Sequence, residues 1–227
     1  PVLEKKKDRC TYALRISRDI QKSAAYLKDQ WSPESQNYTA ALVDGSIYTN
    51  TNQAVNALSD ALFSLEKFRD ASLGIPLGIS SECLDASGRC IDRREHVWSG
   101  LTGAAALAKI DGFKEAFFGS LYKDEYSLGF DDYLENKGQP SIATEIWNEL
   151  EDARANLIPL LATDTSLVTA LNDTQKTNCD IINTPTDALA PLCQVYKDIQ
   201  GATTQIKVDM LIVLSLQAPG THSGDND

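Results

Sequence analysis

The sequence predicts an all-α protein, with long up-and-down helices packed as a bundle. Apolar residues recur at steps of three and four over most of the chain, the period of an α-helix with one buried face. No apolar–polar alternation lasts more than a few residues, and no repeat of fixed period stands out. The 227 residues suffice for one large domain or two small helical ones. A chain that is 42% hydrophobic and 23% charged falls in the globular class rather than the disordered one.

Ala13, Ile16, Ile20, Ala24, Leu27 and Trp31 form the first amphipathic stripe, and Ser32-Pro33 closes it. A polar stretch with Gly45 follows. Asn50 and Thr51 are then N-cap candidates for a second stripe of Val55, Leu58, Leu62, Leu65 and Phe68. That stripe is expected to stop before Gly74-Ile75-Pro76-Leu77-Gly78, a turn-rich break. A third helix is expected from about Asp92 to Phe118. Its small residues Gly100, Gly103, Ala104, Ala105, Ala106 and Ala108 let a neighbour approach closely, so a central position is predicted. Gly112 is read as a tight-packing position, in preference to a kink or a point of ligand approach.

Tyr126 to Asn136 reads as a short helix or turn ending at Gly138-Gln139-Pro140. Ile142, Ile146, Leu150, Ala153, Leu157 and Leu160 form a fourth stripe, with Pro159 near its end. Residues 163–185 are polar and broken. A last helix carries Leu189, Leu192, Tyr196, Ile199, Ile206, Met210 and Val213. It ends at Ala218-Pro219-Gly220, and residues 218–227 read as a flexible acidic tail.

The net charge of −11 argues against a nucleic-acid binder, which needs a basic face. Residues 1–30 nevertheless hold eight Lys or Arg against four Asp or Glu, a local +4 that leaves −15 for the remainder. A solvated helix face is the simpler reading of this basic start, with an acidic partner as the other. The longest apolar candidate, Met210 to Leu216, falls well short of the ~18–20 residues a membrane-spanning helix needs. The chain opens with Pro1, and no apolar run follows Lys5-Lys6-Lys7. No signal peptide is therefore expected within it, and its start reads as a mature or trimmed end.

Cys83 and Cys90 bracket a polar, glycine-containing loop, and Cys179 and Cys193 bracket another with Asp180, Asn183 and Pro185. Two loop-closing disulfides, Cys83–Cys90 and Cys179–Cys193, are expected. Each would add about 2–3 kcal/mol on the chain-entropy model, and both point to an oxidising compartment. A zinc site is disfavoured, because no CxxC pair exists and His96 and His222 are not spaced for tetrahedral ligation. Cys10 is left over, either free or paired with chain upstream.

Catalytic signatures are absent: no HExxH, GxSxG, P-loop or GxGxxG string occurs, so no catalytic residue is assigned. The densest polar cluster is Arg93-Arg94-Glu95-His96-Val97-Trp98-Ser99. On a helix Glu95 and Ser99 would share a face, with Thr102 one turn on and Arg94 on the adjacent face with Trp98. A carboxylate, a hydroxyl and a guanidinium so grouped could bind a small anion, or a metal through water. Surface charges and first-turn acids complementing the helix dipole are the simpler reading. Glu145, Glu149 and Asp152, with Asp131-Asp132 before them, are candidates for hard cations, but the first three fall on one helix face beside the fourth stripe and most simply face water. The tail Gly224-Asp225-Asn226-Asp227 lacks the rest of a calcium-loop pattern.

Several segments together resemble the imelysin family. They are Leu65 to Gly78 (LEKFRDASLGIPLG), Glu95 to Thr102, Leu128-Gly129-Phe130-Asp131-Asp132-Tyr133-Leu134 and the closing helix with its Gly-Asp-Asn-Asp tail. Arg9-Cys10-Thr11-Tyr12 and Gln30-Trp31 fit the helix that precedes these elements. The family's Gly-x-His-x-x-Glu signature is missing, and His96 and Thr102 stand where that family has serines. The chain therefore resembles a single imelysin-like domain over 1–227, truncated on its N-terminal side.

The resemblance implies an all-helical protein of two bundle-like halves, exported to the periplasm or outer membrane of a bacterium and often lipid-anchored. It further implies a ligand site of Arg94, Glu95 and Ser99 facing a cleft, with Glu95 as a metal ligand and iron or another divalent metal as the cofactor. The leading expectation is a binding component in iron acquisition holding a metal, haem or a small ligand. A metallopeptidase using the upstream His and Glu is the second, following the family's metallopeptidase label. A helical docking scaffold is the third. The implied partners are the missing upstream segment as a separate chain and an iron-uptake protein of the envelope.

Overall fold

The computed structural model describes residues 2–83, 90–122, 126–161, 179 and 189–217, with side chains from residue 6 onward. No strand occurs among the described residues. The chain divides into two compact units, Pro1–Ala57 and Leu58–Asp227, with the boundary inside a helix.

The first unit is built on α1 (Val2–Trp31), a single uninterrupted helix. Ser32 and Pro33 end it as expected. Trp31 then packs on Tyr38, with ring centroids 4.9 Å apart, to anchor the short α2 (Tyr38–Val43). Asn37 takes a left-handed conformation and caps α2 by accepting from the Ala40 N–H. Ile16, Ile20 and Leu27 of α1 are exposed. Thr51–Leu62 forms α3, and Asn50 accepts from the Gln53 N–H at its start, the N-cap role assigned from sequence.

In the second unit α4 (Ser64–Phe68) does not stop before Gly74. It runs on through a π-helical turn, Arg69–Gly74, into α5 (Ile75–Leu77), and ends at the left-handed Gly78. Gly74 acts here as a packing residue, because a Cβ on it would lie 3.1 Å from the Tyr196 ring. A π turn widens a helix by one residue and shifts the faces that follow. Around this one the chain buries Arg69, whose Nε donates to Asp70 (2.8 Å) and whose Nη1 donates to Thr203 (3.1 Å). Burial opposes the Arg69 charge, but Asp70, Tyr196 and Glu66 outweigh it and push the pKa up. Tyr196 donates to Asp70 (3.1 Å), and Lys207 pairs with Glu66 (2.6 Å). Two acids and two bases thus balance at this buried seam.

The helix expected from Asp92 to Phe118 is shorter. A 3-10 turn, Ile91–Arg93, is followed by an irregular segment, and α6 begins only at Thr102 (Thr102–Phe118). The reason is conformational: His96 (φ 60) and Gly100 (φ 69) both sit in the left-handed region, which no right-handed helix can contain. α6 ends at Gly119 (φ 70). A Cβ there would stand 2.6 Å from the Leu128 carbonyl oxygen, so only glycine fits. Next come α7 (Phe130–Asn136), α8 (Pro140–Leu157) and a 3-10 turn, Ile158–Leu161. Then follow α9 (Pro191–Gln205), a second π turn Ile206–Met210, and α10 (Leu211–Leu214). Asp132 accepts from the Gly129 N–H (2.8 Å), so it closes the start of α7 rather than facing a cation.

The core lies between α8 and α9, the most extensively packed helix pair. Ile142, Ile146, Leu150, Ala153 and Leu157 are buried on α8, the fourth stripe read from sequence. They meet Leu192, Val195, Ile199 and Ala202 of α9, continued by Ile206 of the π turn. Each such large side chain contributes roughly 1.5–3 kcal/mol by leaving water. α6 closes one side with a ring cluster: Phe117 stands 5.8 Å from Phe113 and 5.9 Å from Phe130, and Phe118 meets Trp147 edge-on at 4.9 Å. Lys114 lies buried among these rings, its Nζ 3.8 Å from the centre of Trp147 and paired with Glu151.

Both expected disulfides are present. Cys83–Cys90 spans a Cα separation of 5.6 Å and Cys179–Cys193 one of 5.2 Å, while Cys10 is free and exposed. The tail at 218–227, His222 and the polar stretch 163–185, apart from Cys179, lie outside the described residues.

Candidate functional site

A groove of about 820 Å³ opens between α4 and α6. Two helical faces make it. From α6 come Lys109, Gly112, Phe113 and Ala116, at helical steps of three and four. Opposite stand Leu62, Leu65, Phe68 and Ile75, with Ser64, Ala71 and Ser72 between them. The small residues on both sides leave space between the two walls. At Gly112 a Cβ would meet nothing within 4 Å, so this glycine borders open space and is not the tight-packing position expected.

The rim carries the charge. Arg93, Glu95, Lys109 and Lys67 line the groove, three cations against one acid in a chain of net charge −11. The Cys83–Cys90 bridge and the 3-10 turn bring Arg93 to this edge, where its Nη1 donates to the Glu82 carbonyl (2.8 Å). Thr102, the buried first residue of α6, donates its hydroxyl to the Glu95 carbonyl and fixes that backbone.

The Glu95 side chain is held by two donors that converge on one oxygen. Ser72 Oγ donates to Oε2 at 2.7 Å and Lys109 Nζ donates to the same atom at 2.5 Å. Lys109 and Ser72 hold this carboxyl below the usual carboxylate range, so it is ionised at neutral pH. His96 Nε2 stands 3.6 Å from the other oxygen. The Glu95 and Lys109 side chains are each 39% exposed, so the pair faces the groove mouth and solvent together.

Of the three residues the resemblance singled out, the structure brings only Glu95 to the groove. Arg94 turns back to donate to the Ile91 carbonyl (3.1 Å), and exposed Ser99 donates to the His96 carbonyl (3.2 Å). The shared helix face expected of Glu95 and Ser99 does not exist, because the segment between them is not helical. Sequence reading missed Ser72, Lys109 and Lys67. One signal was available for Lys109: it is the one charged residue among the four that α6 turns to the groove.

A second acidic constellation lies elsewhere. Glu145, Glu149 and Asp152 of α8 were expected to face water, and Glu149 does not do so fully. It packs against Gly201 of α9 near the buried Asp198. Burial first, then Asp198, Asp152 and Glu145, push Glu149 up to about 7. Burial likewise pushes Asp198 up to about 6, against an opposing hydrogen bond from Asn156 (3.2 Å).

Neither place fits a bare metal ion. Glu95 is already neutralised by Lys109, and no group of three His, Cys, Asp or Glu side chains with metal-holding geometry occurs among the described residues. The groove suits a different ligand. Its volume lies in the range of small-molecule sites, roughly 300–1,000 Å³, and it pairs apolar walls with a few convergent polar groups.

A sequence model of the Imelysin peptidase family matches residues 3–190. No curated protein and no solved structure matches the chain.

Proposed function

The chain belongs to the imelysin family, and from that premise we propose that it is an exported bacterial cell-envelope protein that serves as a binding component in iron acquisition. Its groove takes iron in organic form, as haem or a similarly amphipathic anionic carrier, rather than as a bare ion. The observation that carries this reading is the make-up of the groove. Apolar walls run from Leu62 to Ile75 and along α6, and three cations on the rim outnumber one carboxylate that is already paired. A flat apolar ligand with carboxylates would bury its body against Leu65, Phe68 and Phe113 and leave its charge at Lys109, Arg93 and Lys67.

The disulfides support the compartment, because both fit an oxidising environment. No described helix is long and apolar enough to cross a membrane. The part played by iron rests on the family.

The test is a titration of the purified chain with ferric haem and, separately, with ferrous and ferric iron as citrate complexes. The expected result is saturable haem binding at one per chain with a shift of the porphyrin absorption band, and no stoichiometric uptake of iron from citrate. Tight stoichiometric binding of iron without an organic carrier, or no binding of either, would overturn the reading.

A further inference from the structure

We propose that Ser72 and Lys109 form a carboxylate subsite at the groove rim, held by the chain's own Glu95 and handed over to a carboxylate of the incoming ligand. This rests on the groove being the ligand site. Glu95 then determines affinity as an internal competitor and not as a ligand-contacting group.

The geometry shows how a carboxylate is bound at this spot. A hydroxyl and an ammonium converge on the single oxygen Oε2, at 2.7 and 2.5 Å, from two different walls of the groove. Two donors converging on an acceptor oxygen, one of them charged, make a strong cradle for any carboxylate. Ser72 is buried, so its hydroxyl needs an acceptor whenever Glu95 leaves. A ligand carboxylate supplies one and also neutralises Lys109, which an uncharged ligand cannot do.

Glu95 is placed to leave. Its backbone is fixed independently by Thr102, so the side chain can swing without unfolding the segment. It lies in irregular chain between Arg93 and Leu101, half exposed, with His96 beside it to receive the carboxylate. One carboxylate replaces another at Lys109, so the ammonium stays paired, while the displaced Glu95 keeps its charge at the groove mouth. The surrounding charge favours the newcomer. Arg93 and Lys67 line the same groove, so a second anionic group on the ligand finds a cation that Glu95 cannot reach while it holds Lys109.

The experiment compares protoporphyrin IX, which carries two carboxylates, with its dimethyl ester, which carries none, on the wild type, Glu95→Gln, Ser72→Ala and Lys109→Gln. Glu95→Gln keeps the shape and removes the competing charge. It should tighten the diacid by about two- to five-fold, the factor an exposed ion pair is worth, and leave the ester unchanged. Lys109→Gln should weaken the diacid and leave the ester unchanged. Ser72→Ala should weaken the diacid less than Lys109→Gln does. Circular dichroism of each variant checks that it is folded. Unchanged or weaker diacid binding by folded Glu95→Gln, while the wild type binds the diacid, overturns the handover and leaves the groove reading standing. Failure of the wild type to bind either porphyrin overturns both.

Discussion

The carboxyl group of Glu149 occupies the space in which a side chain on Gly201 would begin: a Cβ there would stand 2.7 Å from Glu149 Cδ. Two helices therefore approach closely because one residue has no side chain, and a half-buried acid fills the gap. The clashing atoms are the far end of a flexible side chain, which can swing aside, so Gly201→Ala should cost no more than about 1 kcal/mol, part of the overpacking being offset by the better helix propensity of alanine. Chemical denaturation measures it. The same substitution in a Glu149→Ala background should cost much less, and that non-additivity identifies the contact.

The same acid predicts a pH dependence. Glu149 and Asp198 titrate at about 7 and 6 in the folded chain, above their ordinary values. The folded state therefore binds protons that the unfolded state has already released between pH ~4 and ~7. Stability contributed by these two groups is full below their ordinary values and lost as pH rises through 6 to 7. Thermal melts should show Tm falling from pH 5 to pH 8. Glu149→Gln should flatten that slope and raise stability at pH 8 by about 1–2 kcal/mol, after allowance for solvent screening.

Lys114 offers a third test. Its side chain is 2% exposed, lies over Trp147 and pairs with Glu151. Lys114→Ala removes the cation and opens a cavity beside the ring cluster, and should cost about 3–5 kcal/mol. Lys114→Met keeps the volume and the contact with Trp147. Glu151 is 40% exposed and retains Arg154 at 3.6 Å, so this variant should cost less than half as much. Equal losses in denaturant midpoints would contradict this account of the buried lysine.

The Cys83–Cys90 bridge ties the chain that carries Arg93 and Glu95 to the groove edge. Replacing both cysteines by serine should cost about 2–3 kcal/mol. It should also weaken ligand binding beyond what the stability loss explains, because the rim segment loses its tether. Binding measured well below the melting transition separates the two effects.

The helices were legible where one periodic face decides burial. Ile142, Ile146, Leu150, Ala153 and Leu157 follow one another at helical spacing and are all buried. The disulfides were legible because each pair closes a short loop, which leaves little freedom in pairing. The segment from Arg94 to Leu101 was not. Its composition suits a helix, and a histidine marks a left-handed turn only weakly. Arg69–Gly74 misled in the opposite sense: Gly74 and Pro76 look like a break, yet the chain stays helical through the π turn and past Pro76 and ends only at Gly78. The candidate site was the least legible part. Glu95 was singled out, but its partners Ser72 and Lys109 come from other elements, and their convergence is set by tertiary packing. The Glu149–Gly201 contact was hidden for the same reason, because the residue that makes room lies on a different helix.

Gly112→Trp tests whether the groove between α4 and α6 is the ligand site. The position faces open groove, with nothing within 4 Å of a Cβ, and its backbone is helical. A Cβ meets no neighbour there and the groove of about 820 Å³ has room for an indole, so a tryptophan would take up part of the site, and replacing a helical glycine favours the folded state by a few tenths of a kcal/mol. An unchanged or raised Tm together with loss of haem binding by at least about tenfold, equivalent to about 1.4 kcal/mol, is the predicted result. Wild-type haem affinity in a folded Gly112→Trp protein would place the ligand elsewhere and contradict the account.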